Sequence, residues 1–157
     1  MCIRDRAVRV LSVEESAKLG EEWSKKAQGQ DIGYQILNSR FIHTDKTEEE
    51  GTRAKSRWCV VGYQEESLEE MVRNRETDAP TPGNDSKMIA LQVIASRGWE
   101  LRIGDISGAF LNTEHPGRRL YVRSPKSEPI PGLLPGQLVE LTSSVYGLNT
   151  APLAWFT

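Results

Sequence analysis

The sequence predicts an α+β domain. Two Ser-x-x-Glu stretches carry helix-opening signals, two longer runs alternate polar and apolar residues with strand period, and proline- and glycine-rich breakers separate them. At 157 residues, one domain with a real core is the default. A hydrophobic content of 38% and a charged content of 27% describe a soluble globular chain. No apolar run approaches the ~20 residues of a membrane helix.

Met1-Cys2-Ile3-Arg4-Asp5-Arg6 is charged and lacks an apolar core, so a secretory leader is not expected and an intracellular setting is. It reads as a scar-like start. Ser12-Val13-Glu14-Glu15 has capping-box spacing, with Leu11 placed for a staple, and opens a helix to about Gln28. Val13, Ala17 and Trp23 give that helix one narrow apolar stripe, and residues 1–38 are expected to form the scar-like start plus an amphipathic helix ahead of a domain over 39–157. Strand-like runs follow at Tyr34–Thr44 and Lys55–Tyr63, with the polar run Asp45–Arg53 between them as an exposed loop. Arg53, Lys55 and Arg57 share one face of the second run. That face suits phosphates or, equally, a solvated edge that discourages strand pairing.

Ser67-Leu68-Glu69-Glu70 repeats the capping spacing and opens a short helix through Arg73. After the breaker Ala79–Gly83, a helix from about Ser86 to Arg97 is capped by Asp85 or Ser86 and closed by Gly98, with Met88, Leu91, Ile94 and Ala95 as its buried side. Trp99–Phe110 is the most informative stretch. Leu101 and Ile103 alternate with Glu100 and Arg102 as in a half-buried strand, and Asp105 ends it ahead of Ser107, Gly108 and Ala109. A carboxylate there suits a metal ion and a phosphate. Taken alone, a simple cap for the turn that follows is the stronger reading. Short strands are expected at Leu120–Arg123 and Leu138–Leu141, around a proline-rich loop at Pro125–Gly136. Arg118, Arg119, Arg123 and Lys126 make this half locally basic, although the net charge is −2. Cys2 and Cys59 imply no disulfide framework, and His43 and His115 have no zinc-like spacing.

Five segments in order resemble the reverse transcriptase of copia-type retrotransposons. Lys55-Ser56-Arg57-Trp58-Cys59-Val60-Val61-Gly62-Tyr63 is similar to the family's Lys-Ala-Arg-Leu-Val-Ala-Lys-Gly-Phe. Asp78-Ala79-Pro80-Thr81 resembles its segment ahead of the long helix, Gly98–Asn112 its first catalytic motif, and Leu120–Pro125 the strand after it. Ser144–Trp155 is similar to Ser-Leu-Tyr-Gly-Leu-Lys-Gln-Ala-Pro-Arg-Ala-Trp.

The resemblance implies the fingers and part of the palm of an RNA-directed DNA polymerase, an incomplete antiparallel sheet with helices packed on one side. It makes Asp105 the catalytic metal ligand of a two-metal nucleotidyl transfer, with Mg²⁺ expected and Mn²⁺ as the alternative ion. It gives Lys55 and Arg57 to the nucleotide's phosphates, the backbone around Gly108, Ala109 and Phe110 to the triphosphate, and Phe110 to excluding a 2′-hydroxyl. Tyr146, Gly147 and Pro152 would shape the nucleotide and template surface. The implied partners are an RNA/DNA template-primer and a deoxynucleoside triphosphate. Val61, Asn149, Thr150 and Leu153 depart from the pattern, each removing an expected polar or cationic contact. The family's Tyr-x-Asp-Asp hairpin does not occur in the sequence. The expectation is therefore a fragment that is inactive as it stands. The alternatives are a non-catalytic nucleic-acid-binding or partner-binding remnant, or a partial gene model with no function of its own.

Overall fold

The computed structural model describes residues 7–27, 29–48, 51–114 and 117–157, without the side chains at 46 and 48. The scar-like Met1–Arg6, the tip of the expected hairpin loop at Glu49 and Glu50, and His115 lie outside the described residues. In order, the elements are β1 (Val8–Val10), α1 (Val13–Lys25), β2 (Tyr34–Leu37), β3 (Ser39–Glu48), β4 (Gly51–Val60), α2 (Leu68–Arg73), α3 (Asn84–Arg97), β5 (Arg119–Arg123), β6 (Leu138–Leu141) and α4 (Ala151–Phe156). Single 3₁₀ turns sit at Gly62–Gln64 and Ala109–Asn112.

The Ser12 capping box forms in both directions. Ser12 Oγ accepts from the Glu15 amide and the Glu15 carboxylate accepts from the Ser12 amide, each at 3.1 Å. Those hydrogen bonds hold the Glu15 carboxyl below its ordinary pKa. Ser16 Oγ donates to the Ser12 carbonyl and accepts the Leu138 amide, which ties α1 to β6. The helix stops at Lys25, short of the expected end near residue 28, because Lys26 is already extended.

The central sheet has the order β1-β6-β5-β2. β6 runs antiparallel to β1 and β5, but β2 pairs with β5 in parallel, so the sheet is mixed where an antiparallel one was expected. The parallel neighbours are joined by a crossover spanning residues 38–118. β1 and β2 belong to this sheet, which therefore spans the expected boundary between 38 and 39.

Period-two alternation gives the sheet two apolar faces. Ile36, Tyr121 and Leu138 lie under Leu11, Leu19 and Trp23 at α1. Leu37, Leu120, Val122 and Leu141 lie in the larger cluster with Trp58, Val60, Ile130, Val145, Leu148 and Ala151. Helices thus pack on both faces, α1 on one and α4 on the other, instead of on one side.

β3 and β4 pair antiparallel from Ser39↔Val60 to Glu48↔Gly51. The polar run read as a loop is therefore largely strand. An exposed two-stranded ribbon needs no apolar face, so polarity there carries no loop information. At about 3.3 Å per residue, ten-residue strands make an arm of roughly 33 Å.

α3 begins after Gly83, two to three residues before the expected caps, and closes at Gly98 with φ 62°. None of its residues is buried, so Met88, Leu91, Ile94 and Ala95 do not form the expected inner side. Residues 99–106 form no strand, and Ile103 is 91% exposed. The alternation there describes a half-buried face, yet a strand also needs a neighbour for its backbone groups, and no described element supplies one. α2 does follow Ser67, but the Ser67 hydroxyl makes no capping bond.

Tyr34 joins α1 to the sheet by donating its hydroxyl to the Leu19 carbonyl at 3.0 Å and the Glu22 carboxylate at 3.2 Å. Burial, then the hydrogen bond to Glu22, pushes its pKa up to about 12. The folded state thus holds this proton more tightly than the unfolded chain, whose tyrosine titrates near ~10. That contribution is present below pH ~10 and is lost as pH rises through about 12. Urea unfolding between pH 9 and 12 should show a falling midpoint whose slope is reduced in Tyr34→Phe.

Candidate functional site

β4 runs from solvent into the core, and its burial rises along the strand from exposed Lys55 through half-buried Arg57 to buried Trp58 and Val60. Arg53, Lys55, Arg57 and Cys59 alternate onto one face, and the pairing Arg40↔Cys59 adds Arg40 to it. Burial raises the Cys59 thiol pKa, while Arg40 and Arg57 pull it the other way.

A cleft of about 520 Å³ opens beside the buried half of β4. Lys55, Arg57, Trp58, Asp105, Gly108 and Tyr146 are among its lining residues. Asp105 does not cap the following turn, whose N-terminal flank is Gly108 in the left-handed region at φ 65°. Its carboxylate makes no hydrogen bond or ion pair among the described residues. Phe110 packs on the larger core and meets Tyr146 edge-on, with centroids 5.4 Å apart. Ala109, Phe110 and Gly147 adjoin the lining in the chain but are not among its residues, and neither is Pro152, which sits in the first turn of α4.

The geometry is fixed by a close backbone approach. The Val60 amide donates to the Tyr146 carbonyl at 2.8 Å. A Cβ at Gly62 would overlap the Gly147 carbonyl oxygen, and one at Gly147 would overlap the Val60 carbonyl oxygen. Gly147 also has φ 91°, which disfavours any side chain. Behind this contact the Glu65 side chain is fully buried. Arg118 donates to its Oε1 at 2.7 Å and Asn149 to its Oε2 at 3.3 Å. Asn149 Nδ2 also donates to the Gly62 carbonyl at 2.6 Å, and Arg118 to Thr150 Oγ1 at 3.3 Å.

Gly62, Glu65 and Arg118 carry structural weight that the sequence reading missed. Asn149 and Thr150, read there as departures that remove nucleic-acid contacts, take part in this hydrogen-bond network. Spacing offers no signal for this, since the partners come from three distant segments.

Two divalent ions ~4 Å apart at an effective dielectric constant of ~20 repel by about 16 kcal/mol. Several carboxylates are needed to offset that. Among the described residues no group of three or more His, Cys, Asp or Glu converges, so Asp105 alone does not fit a complete two-metal site. No helix among them is long and apolar enough to cross a membrane.

The family model for reverse transcriptase (RNA-dependent DNA polymerase) matches residues 30–157. The chain belongs to that family. It is 27% identical over 158 residues to the retrovirus-related Pol polyprotein from transposon RE2 of Arabidopsis thaliana, covering 97% of this chain and 10% of the relative. It is 30% identical over 127 residues to the corresponding polyprotein from transposon RE1 of the same plant, covering 77% of this chain and 8% of the relative. The chain thus spans about a tenth of the length of these relatives. No solved structure gives a significant match.

Gly147→Ala should lower stability by about 2 kcal/mol or more, from strain at positive φ plus the carbonyl overlap. Gly20→Ala, in α1 with open space around it, should raise stability by about 0.5–1 kcal/mol. Urea midpoints of the two variants should move in opposite directions.

Proposed function

We propose that the cleft is the nucleotide-side wall of an RNA-directed DNA polymerase and binds the triphosphate of a deoxynucleotide. The observation that carries this is the meeting of Lys55, Arg57, Asp105, Gly108 and Tyr146 on one cleft. Arg57 suits a phosphate because its planar fork donates two parallel hydrogen bonds, and Lys55 adds a point charge. Gly108 and Ala109 lack bulk, so the main chain there can approach an anion closely. Phe110, held edge-on by Tyr146, would lie under the sugar and exclude a 2′-hydroxyl. Tyr146, Gly147 and Pro152 would shape the surface that meets the base and the template.

Reverse transcriptases generally use divalent metal ions, and Asp105 would be one ligand of such a site. The described residues complete no such site, so binding is proposed for this chain and the metal-dependent transfer is not.

Isothermal titration should show dTTP binding at least about tenfold tighter than thymidine. Arg57→Gln should weaken dTTP by about tenfold or more, the worth of a charge-assisted hydrogen bond, while Arg119→Gln leaves it unchanged. Equal affinities for dTTP and thymidine would overturn the reading.

The purified chain should also give no incorporation on a primed RNA template. Mg²⁺-dependent incorporation abolished by Asp105→Asn would contradict the inactive reading.

A second reading is favoured by Arg40 and Arg53, which extend the cationic face of the arm but do not line the cleft. This face would hold a nucleic-acid strand without chemistry. Single-stranded RNA binding that weakens with salt and is lost in Arg53→Glu, with dTTP binding absent, would favour that reading.

A further inference from the structure

We propose that Glu65 is a positioning residue for the Tyr146 wall of the cleft, acting through Asn149 and Arg118. The inference deepens the nucleotide-binding reading by naming the group that holds that wall in place. The Glu65 side chain is buried from solvent, and both of its oxygens accept hydrogen bonds from donors on separate segments. Arg118 lies just before β5, and Asn149 lies three residues after Tyr146 on the loop leading to α4. Glu65 itself follows the turn into which β4 exits. One carboxylate therefore joins the exit of the cationic arm, the sheet and the loop that carries Tyr146.

The choice of residue is chemically narrow. Asn149 Nδ2 serves both the Gly62 carbonyl and Glu65 Oε2, so the amide must present its NH₂ group inward. Only an acceptor opposite it allows that. Arg118 likewise only donates. A glutamine at 65 has the same shape but carries an NH₂ group that would face one of these two donors. It must break one of the bonds. An ion pair this buried is also a poor route to stability alone, since an apolar replacement commonly serves as well. What it supplies is a directional junction, aligned with the Val60–Tyr146 hydrogen bond and the glycine contact of Gly62 with Gly147.

The test is fluorine NMR of the full chain labelled with 3-fluorotyrosine. Its four tyrosines, Tyr34, Tyr63, Tyr121 and Tyr146, are assigned by Tyr→Phe variants. Glu65→Gln and Asn149→Ala should each shift or broaden the Tyr146 resonance while Tyr34 and Tyr121, on the opposite face of the sheet, stay in place. In the parent, dTTP should shift Tyr146, and Glu65→Gln should weaken that titration about fivefold, the worth of one hydrogen bond.

A Tyr146 resonance unmoved in both variants would overturn the proposal, as would equal shifts of all four tyrosines. If Glu65→Gln fails to fold, Asn149→Ala decides alone. If the variants move Tyr146 but dTTP does not shift it in the parent, the positioning role stands and the nucleotide reading falls.

Discussion

The structure depends on the contact between the end of β4 and the loop at Tyr146–Leu148. Two backbones approach there so closely that neither Gly62 nor Gly147 can carry a side chain. Val145 and Leu148, on either side of the contact, are buried in the larger core. The loop is therefore anchored to the sheet before it touches the arm. The Val60–Tyr146 hydrogen bond transmits that anchoring to β4, and the Val61 amide adds a bond to the Asn38 carbonyl at 2.9 Å. On the other strand Ser39 Oγ donates to the Arg123 carbonyl at 2.6 Å. A long polar ribbon is thus held at its base.

That anchoring places chemistry. The outer half of the arm is exposed and has little packing to orient it. Its inner half brings Lys55 and Arg57 to a cleft whose far side is Asp105 and the turn at Gly108. Lys55 and Arg57 on one segment and Asp105 on another thus line the same cleft. The Glu65 network lies directly behind the β4–Tyr146 contact, and its buried charge makes the arrangement directional where apolar packing alone would not be.

Local signals in the sequence were readable where local physics decides. The Ser12 capping box, the Gly98 closure and the short strands β5 and β6 all satisfy backbone groups within a few residues or by strict alternation. The stretch at 99–106 was misread because alternation describes one face and says nothing of a backbone partner. α3 was misread for a related reason, since apolar spacing alone supplies nothing for a helix to pack against. The parallel β2–β5 pair depends on a crossover of some eighty residues, and no local pattern encodes it. Of the site, Lys55, Arg57, Asp105, Gly108 and Tyr146 were legible as motif positions. Glu65 and Arg118 were not, because a buried ion pair between remote segments looks like ordinary surface charge in sequence.

In the proposed reading, the β4–Tyr146 contact assembles an anion site from segments distant in the chain. Mapping amide shifts of the ¹⁵N-labelled chain during titration with dTTP tests it most directly. The account predicts changes clustered at residues 55–58, 105–108 and 146, with β1 and α1 undisturbed. Changes confined to the outer arm at 51–54, or absent at 105–108 and 146, would contradict it.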